Sequence, residues 1–277
     1  MAKICVLQLN TLAMSDSRID YYLKLAKERG AGLVLIGEYV LNSFFTEIIK
    51  MPKSMIKEQS EHKRASLLNL AKKYDLIIVA PIILLKGKDI YKVVAKFSPQ
   101  SVKYEEQNIF IDYSHWNESK FFKSSKKDSL GIMSFAYDKF KFGVMFGYET
   151  HFDRLWQEMM SKKIDCVLVP TACTLNSKDR WNELLKMRAF TNNVYILRAN
   201  RLGKAKFDEV SSEFYGNSML ISPHGEIMDS LDTNEGMLVC ELDKKLLNEA
   251  RSIWKFSQKS SYLPNPAVKP LALAMGI

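Results

Sequence analysis

A carboxylate follows closely after a run of apolar residues near the start of the chain. Glu38 lies two positions beyond the uninterrupted apolar run 33–36, which is typical of a strand buried on both faces. In α/β proteins the carboxyl ends of such strands form the edge of the sheet where binding sites lie. Glu38 is therefore a candidate acid or base, although this segment alone is more typical of a solvated loop glutamate.

A second segment has the layout of a nucleophile elbow, the tight strand-to-helix turn that presents an attacking side chain. An apolar strand at 140–146 runs into Gly147, and a helix is predicted over 151–162. An elbow nucleophile would be a serine or a cysteine, whereas Gly147 has no side chain. The alternative is that glycine stands here because it tolerates the backbone of a tight turn.

Polar and aromatic residues also collect at strand ends in the second half of the chain. They are Cys173 after Val169-Pro-Thr-Ala, then Trp181, Arg188, Asn192, Asn193, Asn200, Arg201 and the stretch 215–225. Taken one at a time, each could be a helix cap or a turn residue.

The elements that would position these residues alternate between strands and helices. Apolar runs predict strands at 4–9, 33–36, 76–79, 131–135, 140–146, 166–169, 194–199, 218–222 and 237–242, with hairpins between 82 and 110. Helices are predicted at 17–30, 57–74, 151–162, 180–190 and 243–254. Two similar halves of this kind predict an α/β fold, a four-layer α-β-β-α sandwich. We expect one domain over residues 1–277, with an extended, proline-containing C-terminal arm at 257–277.

Composition narrows the class of protein. The chain has 277 residues, 47% of them apolar, and a net charge of +9 that is scattered along its length. A nucleic-acid role is therefore the minor interpretation, and no apolar run is long enough to span a membrane. Cys5, Cys166 and Cys240 lie in apolar runs, which is typical of reduced core cysteines, and no metal-binding spacing occurs. We expect a cytoplasmic protein.

Taken together, the chemical segments resemble the nitrilase, or carbon–nitrogen hydrolase, superfamily from Ile4 to about Leu242. That family has a glutamate after a strand, Tyr-x-Lys, Cys-Tyr-Asp/Glu after a strand, Arg-Ala-x-x-Asn, and Gly-x-Ser followed by Pro-x-Gly. This chain has Ile36-Gly-Glu38, Phe146-Gly147-Tyr148-Glu149, Arg188-Ala189-Phe-Thr-Asn192, Gly216-Asn-Ser218 and Pro223-His-Gly225. The order and spacing of these motifs agree with those of the family. The resemblance implies the nitrilase type of α-β-β-α sandwich.

The resemblance also implies a chemistry and a set of site residues. A cysteine thiolate attacks an amide, carbamoyl or nitrile carbon, a glutamate is the general base, and a lysine stabilises the oxyanion. By position Glu38 corresponds to the family's general base. Gly147 occupies the position of the family's cysteine, and Glu106, in Tyr104-Glu105-Glu106, occupies the position of its lysine. Glu118 matches a further glutamate of the family. The pocket neighbours implied by position are Tyr39, Trp116, Tyr148, Glu149 and Cys173.

Gly147 and Glu106 thus depart from the catalytic residues of the family, and three hypotheses follow. In the first, the protein is a pseudoenzyme of amide or N-carbamoyl hydrolase descent that is retained for ligand binding or assembly. In the second, it is an active hydrolase with a rearranged site in which Cys173 acts with Glu38 and Lys103 supplies the cation. In the third, Glu38 and Glu106 face each other, with Glu118 and Glu149 close, and recruit a divalent ion or an amine.

The resemblance carries expectations about partners as well. It implies no organic cofactor, a small amide-like or amine ligand, and self-association into a homodimer or a larger homo-oligomer.

Overall fold

The computed structural model describes residues 1–125, 130–207 and 210–256. The predicted C-terminal arm at 257–277 lies outside the described residues. In chain order the strands are β1 (Ala2–Gln8), β2 (Leu33–Ile36), β3 (Ile77–Lys86), β4 (Asp89–Ser98), β5 (Ser101–Glu106), β6 (Ser134–Tyr137), β7 (Phe140–Val144), β8 (Cys166–Thr171), β9 (Tyr195–Asn200), β10 (Leu202–Phe207), β11 (Val210–Tyr215), β12 (Met219–Ile221), β13 (Ile227–Ser230) and β14 (Gly236–Leu242). The α-helices are α1 (Ser17–Glu28), α2 (Phe45–Ile48), α3 (Lys53–Tyr74), α4 (Asp153–Ser161), α5 (Lys178–Asn192) and α6 (Lys244–Trp254).

These strands form two six-stranded sheets and one separate hairpin. The first sheet has the order β14-β1-β2-β3-β4-β5, the second has the order β13-β12-β9-β8-β7-β6, and β10 pairs with β11. At the centre of each sheet three strands are parallel, β1-β2-β3 in the first and β7-β8-β9 in the second. Parallel neighbours need a long crossover connection, which α1, α3, α4 and α5 provide between them.

The side chains of β1 show how the layers pack. Ile4 and Val6 lie in an apolar cluster shared with the second sheet, whereas Cys5 and Leu7 lie in a cluster shared with α1 and α3. The two sets alternate because successive side chains of a strand point to opposite faces.

Helices cover the outer face of each sheet. Leu23 of α1 and Leu67 of α3 pack on the first sheet, and Trp156 of α4 and Leu185 of α5 pack on the second. The layer order is therefore helix, sheet, sheet, helix, and the predicted α-β-β-α sandwich is confirmed.

Several local predictions can be compared with the structure. Gly30, predicted to end the first helix, has φ of +84° just after α1. The helix predicted from residue 151 begins as α4 at Asp153, after a short 3-10 helix at Tyr148–His151. The cysteines predicted to be reduced are buried and unpaired in the structure. Among the described residues, no helix has the length and apolar character needed to cross a bilayer.

The strand ends that carry the chemical residues meet at one place in the fold. The backbone N–H of Glu38, beyond β2, donates to the carbonyl of Thr171 at 3.2 Å, and Thr171 ends β8. The N–H of Gly147, beyond β7, donates to the carbonyl of Pro170 at 2.9 Å. The two sheets therefore bring Glu38 and Gly147 together at the carboxyl ends of their strands.

Candidate active site

Gly147 lies at the turn that the sequence predicts, directly beneath Glu38. Its N–H is 3.2 Å from Glu38 Oε1. Its backbone has φ −51° and ψ −53°, which any L-residue adopts, so the turn itself does not require glycine. An idealised Cβ at this position would lie 2.8 Å from Thr171 Cγ2 and 3.3 Å from Glu38 Oε1. The side chain of Thr171 therefore occupies the space that a larger residue at 147 would need.

The site contains an ammonium group that the sequence analysis did not identify. Lys92 of β4 is buried, and its Nζ lies 2.6 Å from Glu38 Oε2 and 2.7 Å from Glu118 Oε1. The same Nζ lies 4.7 Å from the ring centre of Tyr39 and 5.3 Å from that of Phe146. Lys92 is thus the cation between the two glutamates. We call these three residues the Glu38–Lys92–Glu118 cluster.

The environment sets the protonation of this cluster. Burial raises the pKa of Glu38 above its ordinary value, against the opposing effect of the Lys92 ammonium. Burial acts to lower the pKa of Lys92, but the carboxylates of Glu118 and Glu38 outweigh it, and the pKa is raised. Lys92 is therefore charged at neutral pH, and Glu38 is a stronger base than an exposed glutamate.

Glu118 is held by donors from several directions. Besides Lys92, it accepts hydrogen bonds from the hydroxyl of Tyr39, from Trp116 Nε1 at 3.3 Å and from the N–H of Ile111 at 3.4 Å. A buried carboxylate with this many donors is fixed in position. Glu118 therefore lies in the same cluster as Lys92 and Glu38.

Tyr39, whose hydroxyl donates to Glu118, adopts an uncommon backbone conformation. Its φ is +54°, in the left-handed region. Its carbonyl accepts hydrogen bonds from Thr11 Oγ1 at 3.0 Å and from Arg201 Nη1 at 2.9 Å. These two contacts hold the strained residue that follows Glu38 directly.

Glu106, predicted at the lysine position, lies outside the cluster. It is paired across the strands with Val93, whose side chain packs toward α1 and α3, and directly opposite residues point to the same face of a sheet. Its carboxylate accepts from the N–H and hydroxyl of Ser125, both at 2.8 Å, and lies 3.7 Å from Lys86 Nζ. The expectation that Glu106 faces Glu38 and reverses the charge of the site was wrong.

The remaining charged candidates, Glu149 and Lys103, are not part of the Glu38–Lys92–Glu118 cluster. Glu149 is buried, and Oε1 accepts from the N–H of Asn108 at 2.5 Å while Oε2 accepts from the N–H of Phe146 at 3.0 Å. Burial raises its pKa. Lys103 is an exposed residue of β5 opposite Lys96. The proposed cation site between crowded glutamates is thus filled by the protein's own lysine, and the described residues contain no group of three or more His, Cys, Asp or Glu suited to a metal ion.

A cavity of about 600 Å³ opens beside Glu38 and Gly147. Of the predicted pocket neighbours, Trp116, Tyr148 and Cys173 line it, whereas Tyr39 and Glu149 do not. Its wall is rich in aromatic rings, which are those of Tyr113, His115, Trp116, Tyr148, Trp181 and Phe207. Such a space, lined mainly by aromatic rings and by a few polar side chains, suits a small organic ligand.

Cys173 lines this cavity but does not stand on an elbow. It follows β8, and its N–H donates to Asn200 Oδ1 at 2.8 Å. Burial raises the pKa of its thiol to about 11, although Arg198 acts to lower it. The thiol is therefore protonated at neutral pH, and the protonated form is a poor nucleophile.

The lysine that sequence reasoning missed has a local signal. Ile90, Lys92 and Val94 are alternate residues of β4, and all three are buried. A lysine at such a position needs a buried partner, which here comes from residues remote in the chain.

Comparison with known proteins agrees with the fold described above. The sequence model of the family described as "Carbon-nitrogen hydrolase" matches residues 8–252. The chain is 25% identical over 273 residues to the omega-amidase NIT2 of Pongo abelii, covering 94% of this chain and 96% of that protein. It is 23% identical to the N-carbamoylputrescine amidase of Arabidopsis thaliana, covering 83% and 81%. The crystal structure of a carbon-nitrogen hydrolase from Helicobacter pylori G27 superposes with a TM-score of 0.81 at 18% identity, covering 93% and 94%.

Proposed function

This chain belongs to the carbon–nitrogen hydrolase family, and on that basis we propose that it is a pseudoenzyme that binds a small amide or carbamoyl compound. The observation that carries the proposal is that Gly147 and Glu38 line one cavity, and that the Glu38 carboxylate still lies 2.6 Å from the Lys92 ammonium. Without a side chain at 147 the chain cannot form the acyl-enzyme implied by the family resemblance.

The retained groups are suited to holding an amide. The Lys92 ammonium is a donor for a carbonyl oxygen, and the Glu38 carboxylate is an acceptor for an amide N–H. Both are buried, where such hydrogen bonds are stronger than in water. The aromatic wall supplies apolar contact for the rest of a small ligand.

A hydrolase with a rearranged site is the second candidate, because Cys173 lines the same cavity as Glu38. Its thiol pKa of about 11 and its position off the elbow both disfavour it as a nucleophile. The experiment below separates the two candidates.

The test restores the missing thiol. Because a Cβ at 147 would meet the Thr171 methyl, Gly147→Cys is combined with Thr171→Ser, which removes that methyl and keeps the hydroxyl. The hydroxyl is kept because it accepts a hydrogen bond from Arg198 Nε at 3.3 Å and donates one to Asn200 Oδ1 at 3.0 Å. The matched controls are Thr171→Ser alone and Gly147→Ser with Thr171→Ser.

Ammonia release is measured from aliphatic amides, ω-amides, nitriles and N-carbamoyl amino acids, together with ligand binding by calorimetry. We expect the native chain and both controls to release no ammonia, and the Gly147→Cys, Thr171→Ser protein to turn over at least one substrate that the native chain binds. Intact mass spectrometry of the restored protein should show the covalent acyl adduct.

Ammonia release by the native chain would contradict the proposal. If Cys173→Ala abolished that release, the rearranged hydrolase would be supported. A native chain that binds none of the compounds would also refute the proposal.

A further inference from the structure

The cavity is larger than an amide group requires. Its volume of about 600 Å³ lies within the range of about 300–1,000 Å³ that is usual for drug-sized ligands. Glu38 and Gly147 line one part of it, and the amide of a ligand would occupy that part. The other residues of the lining therefore determine what the remainder of the ligand is.

Five aromatic rings of this lining form a continuous series of contacts. In order of contact they are Tyr148, Tyr113, His115, Phe207 and Trp116. The centres of successive rings are 5.7, 5.7, 5.4 and 5.8 Å apart. These distances fall within the range of about 4.5–7 Å that is typical of interacting aromatic pairs. We call these five residues the aromatic band.

Both ends of the aromatic band lie beside the groups that would hold the amide. Tyr148 follows Gly147 directly in the chain. Trp116 Nε1 donates to Glu118 Oε1 at 3.3 Å, and the same oxygen accepts from Lys92 Nζ at 2.7 Å. A ligand whose amide contacts Glu38 would therefore place its remaining atoms against the rings of the band.

Successive rings of the band are turned against one another. The angles between their planes are 89°, 23°, 83° and 37° along the band, so the lining offers ring edges as well as ring faces. Because the face of an aromatic ring is negative and its edge positive, an aromatic guest can match either, whereas a saturated guest gains only from burial. The aliphatic side chains among the described residues of the lining are those of Ile111 and Ala172. The lining therefore favours an aromatic ligand over a saturated ligand of equal size.

We propose that the ligand of this cavity is an aromatic amide, whose carboxamide contacts Glu38 and whose ring packs against the aromatic band. This inference rests on the proposed function and adds to it the chemical class of the group that carries the amide.

Benzamide and cyclohexanecarboxamide provide a matched pair of probes. They share the carboxamide and the number of carbon atoms, and they differ in whether the six-membered ring is aromatic. The saturated ring has at least as much apolar surface, so burial alone does not favour benzamide. Calorimetry on the native chain should show benzamide binding about fivefold or more tightly, which corresponds to about 1 kcal/mol and is typical of an aromatic pair beyond its buried area.

Variants then assign the preference to the aromatic band. Tyr113 contacts two rings of the band and is 44% exposed, so Tyr113→Leu removes a ring with little loss of packing. It should lower the ratio of the two affinities by about twofold or more. The matched control is Tyr21→Leu on α1, which removes a 60% exposed ring 5.4 Å from that of Tyr22 and should leave the ratio unchanged. If Tyr113→Leu does not fold, as judged by circular dichroism, His115→Leu provides the same measurement, because His115 also contacts two rings of the band.

Each contrary result has a distinct meaning. Equal binding of the two probes to the native chain, or tighter binding of cyclohexanecarboxamide, refutes the inference and leaves the proposed function standing. Binding of aliphatic amides without binding of benzamide has the same meaning. A preference for benzamide that is unchanged in the variant of the band, or that falls equally in Tyr21→Leu, also refutes the inference. If neither probe and no compound in the wider amide panel binds the native chain, both proposals are refuted.

Discussion

Replacement of Lys92 by methionine tests the central feature of the site, the buried ammonium between two carboxylates. Methionine keeps most of the apolar stem and removes the charge. The native contacts to Glu38 at 2.6 Å and to Glu118 at 2.7 Å are both lost. Two like charges then share a buried space without a cation between them.

The expected cost follows from that geometry. Removal of one partner of a buried ion pair lowers the free energy of unfolding by about 3–5 kcal/mol, because an uncompensated charge stays buried. The loss should depend on pH. In the variant, burial and the charge of Glu118 raise the pKa of Glu38 above its unfolded value without the opposing effect of the Lys92 ammonium, so the destabilisation is small below the unfolded pKa and grows as the pH rises. The deficit at pH 8 should therefore exceed the deficit at pH 5.

Urea unfolding followed by circular dichroism at both pH values measures the effect. The matched control is Lys86→Met. Lys86 ends β3, the strand next to β4, and its exposed ammonium lies 3.7 Å from the carboxylate of Glu106. That change should cost less than about 1 kcal/mol at either pH. Equal losses for the two variants, or a Lys92→Met loss that does not change with pH, would refute the assignment of Lys92 as the buried cation of the site.

Two further predictions concern glutamates. Glu106→Lys should not rescue Lys92→Met, because position 106 faces Ser125 and Lys86; recovery of more than half of the lost unfolding free energy in the double variant would contradict the structure. Glu149→Gln should lower the free energy of unfolding by about 1–3 kcal/mol, because an amide nitrogen then faces backbone N–H donors. In the same urea titration Glu158→Gln, a partly exposed change on α4, should cost under about 1 kcal/mol, and equal losses would argue against a structural role for Glu149.

Much of the fold could be predicted because its signals are local. Apolar runs such as 33–36 mark strands buried on both faces, and the helices between them imply parallel order. The same local pattern placed Glu38 and Gly147 at strand ends, and the structure brings them within 3.2 Å of each other.

The lysine could not be assigned in the same way. Matching the family's Tyr-x-Lys motif to this sequence assigns the lysine position to residue 106. Adjacent residues of a strand, however, face opposite sides of a sheet, and Glu106 faces away from the cluster. Lys92 reaches the cluster from the neighbouring strand. Which of two strands supplies a charge depends on side-chain direction and reach, which a motif does not specify.

The reason for glycine at 147 was also a tertiary property. The turn has ordinary helical backbone angles, so the alternative interpretation, that glycine stands here because it tolerates the backbone of a tight turn, does not account for it. The constraint comes from Thr171 on another strand, whose methyl lies where a Cβ would be.

The sequence by itself determined that the elbow carries no nucleophile, because the absence of a thiol at Gly147 does not depend on how the chain folds. It also determined the layer architecture, since apolar periodicity is a property of short segments. Only the tertiary structure decided that Lys92 neutralises the glutamates and that Arg198 has no carboxylate partner among the described residues. Both facts depend on contacts of about 3 Å between side chains of separate elements, which are set by the packing of the sheets and not by spacing along the chain.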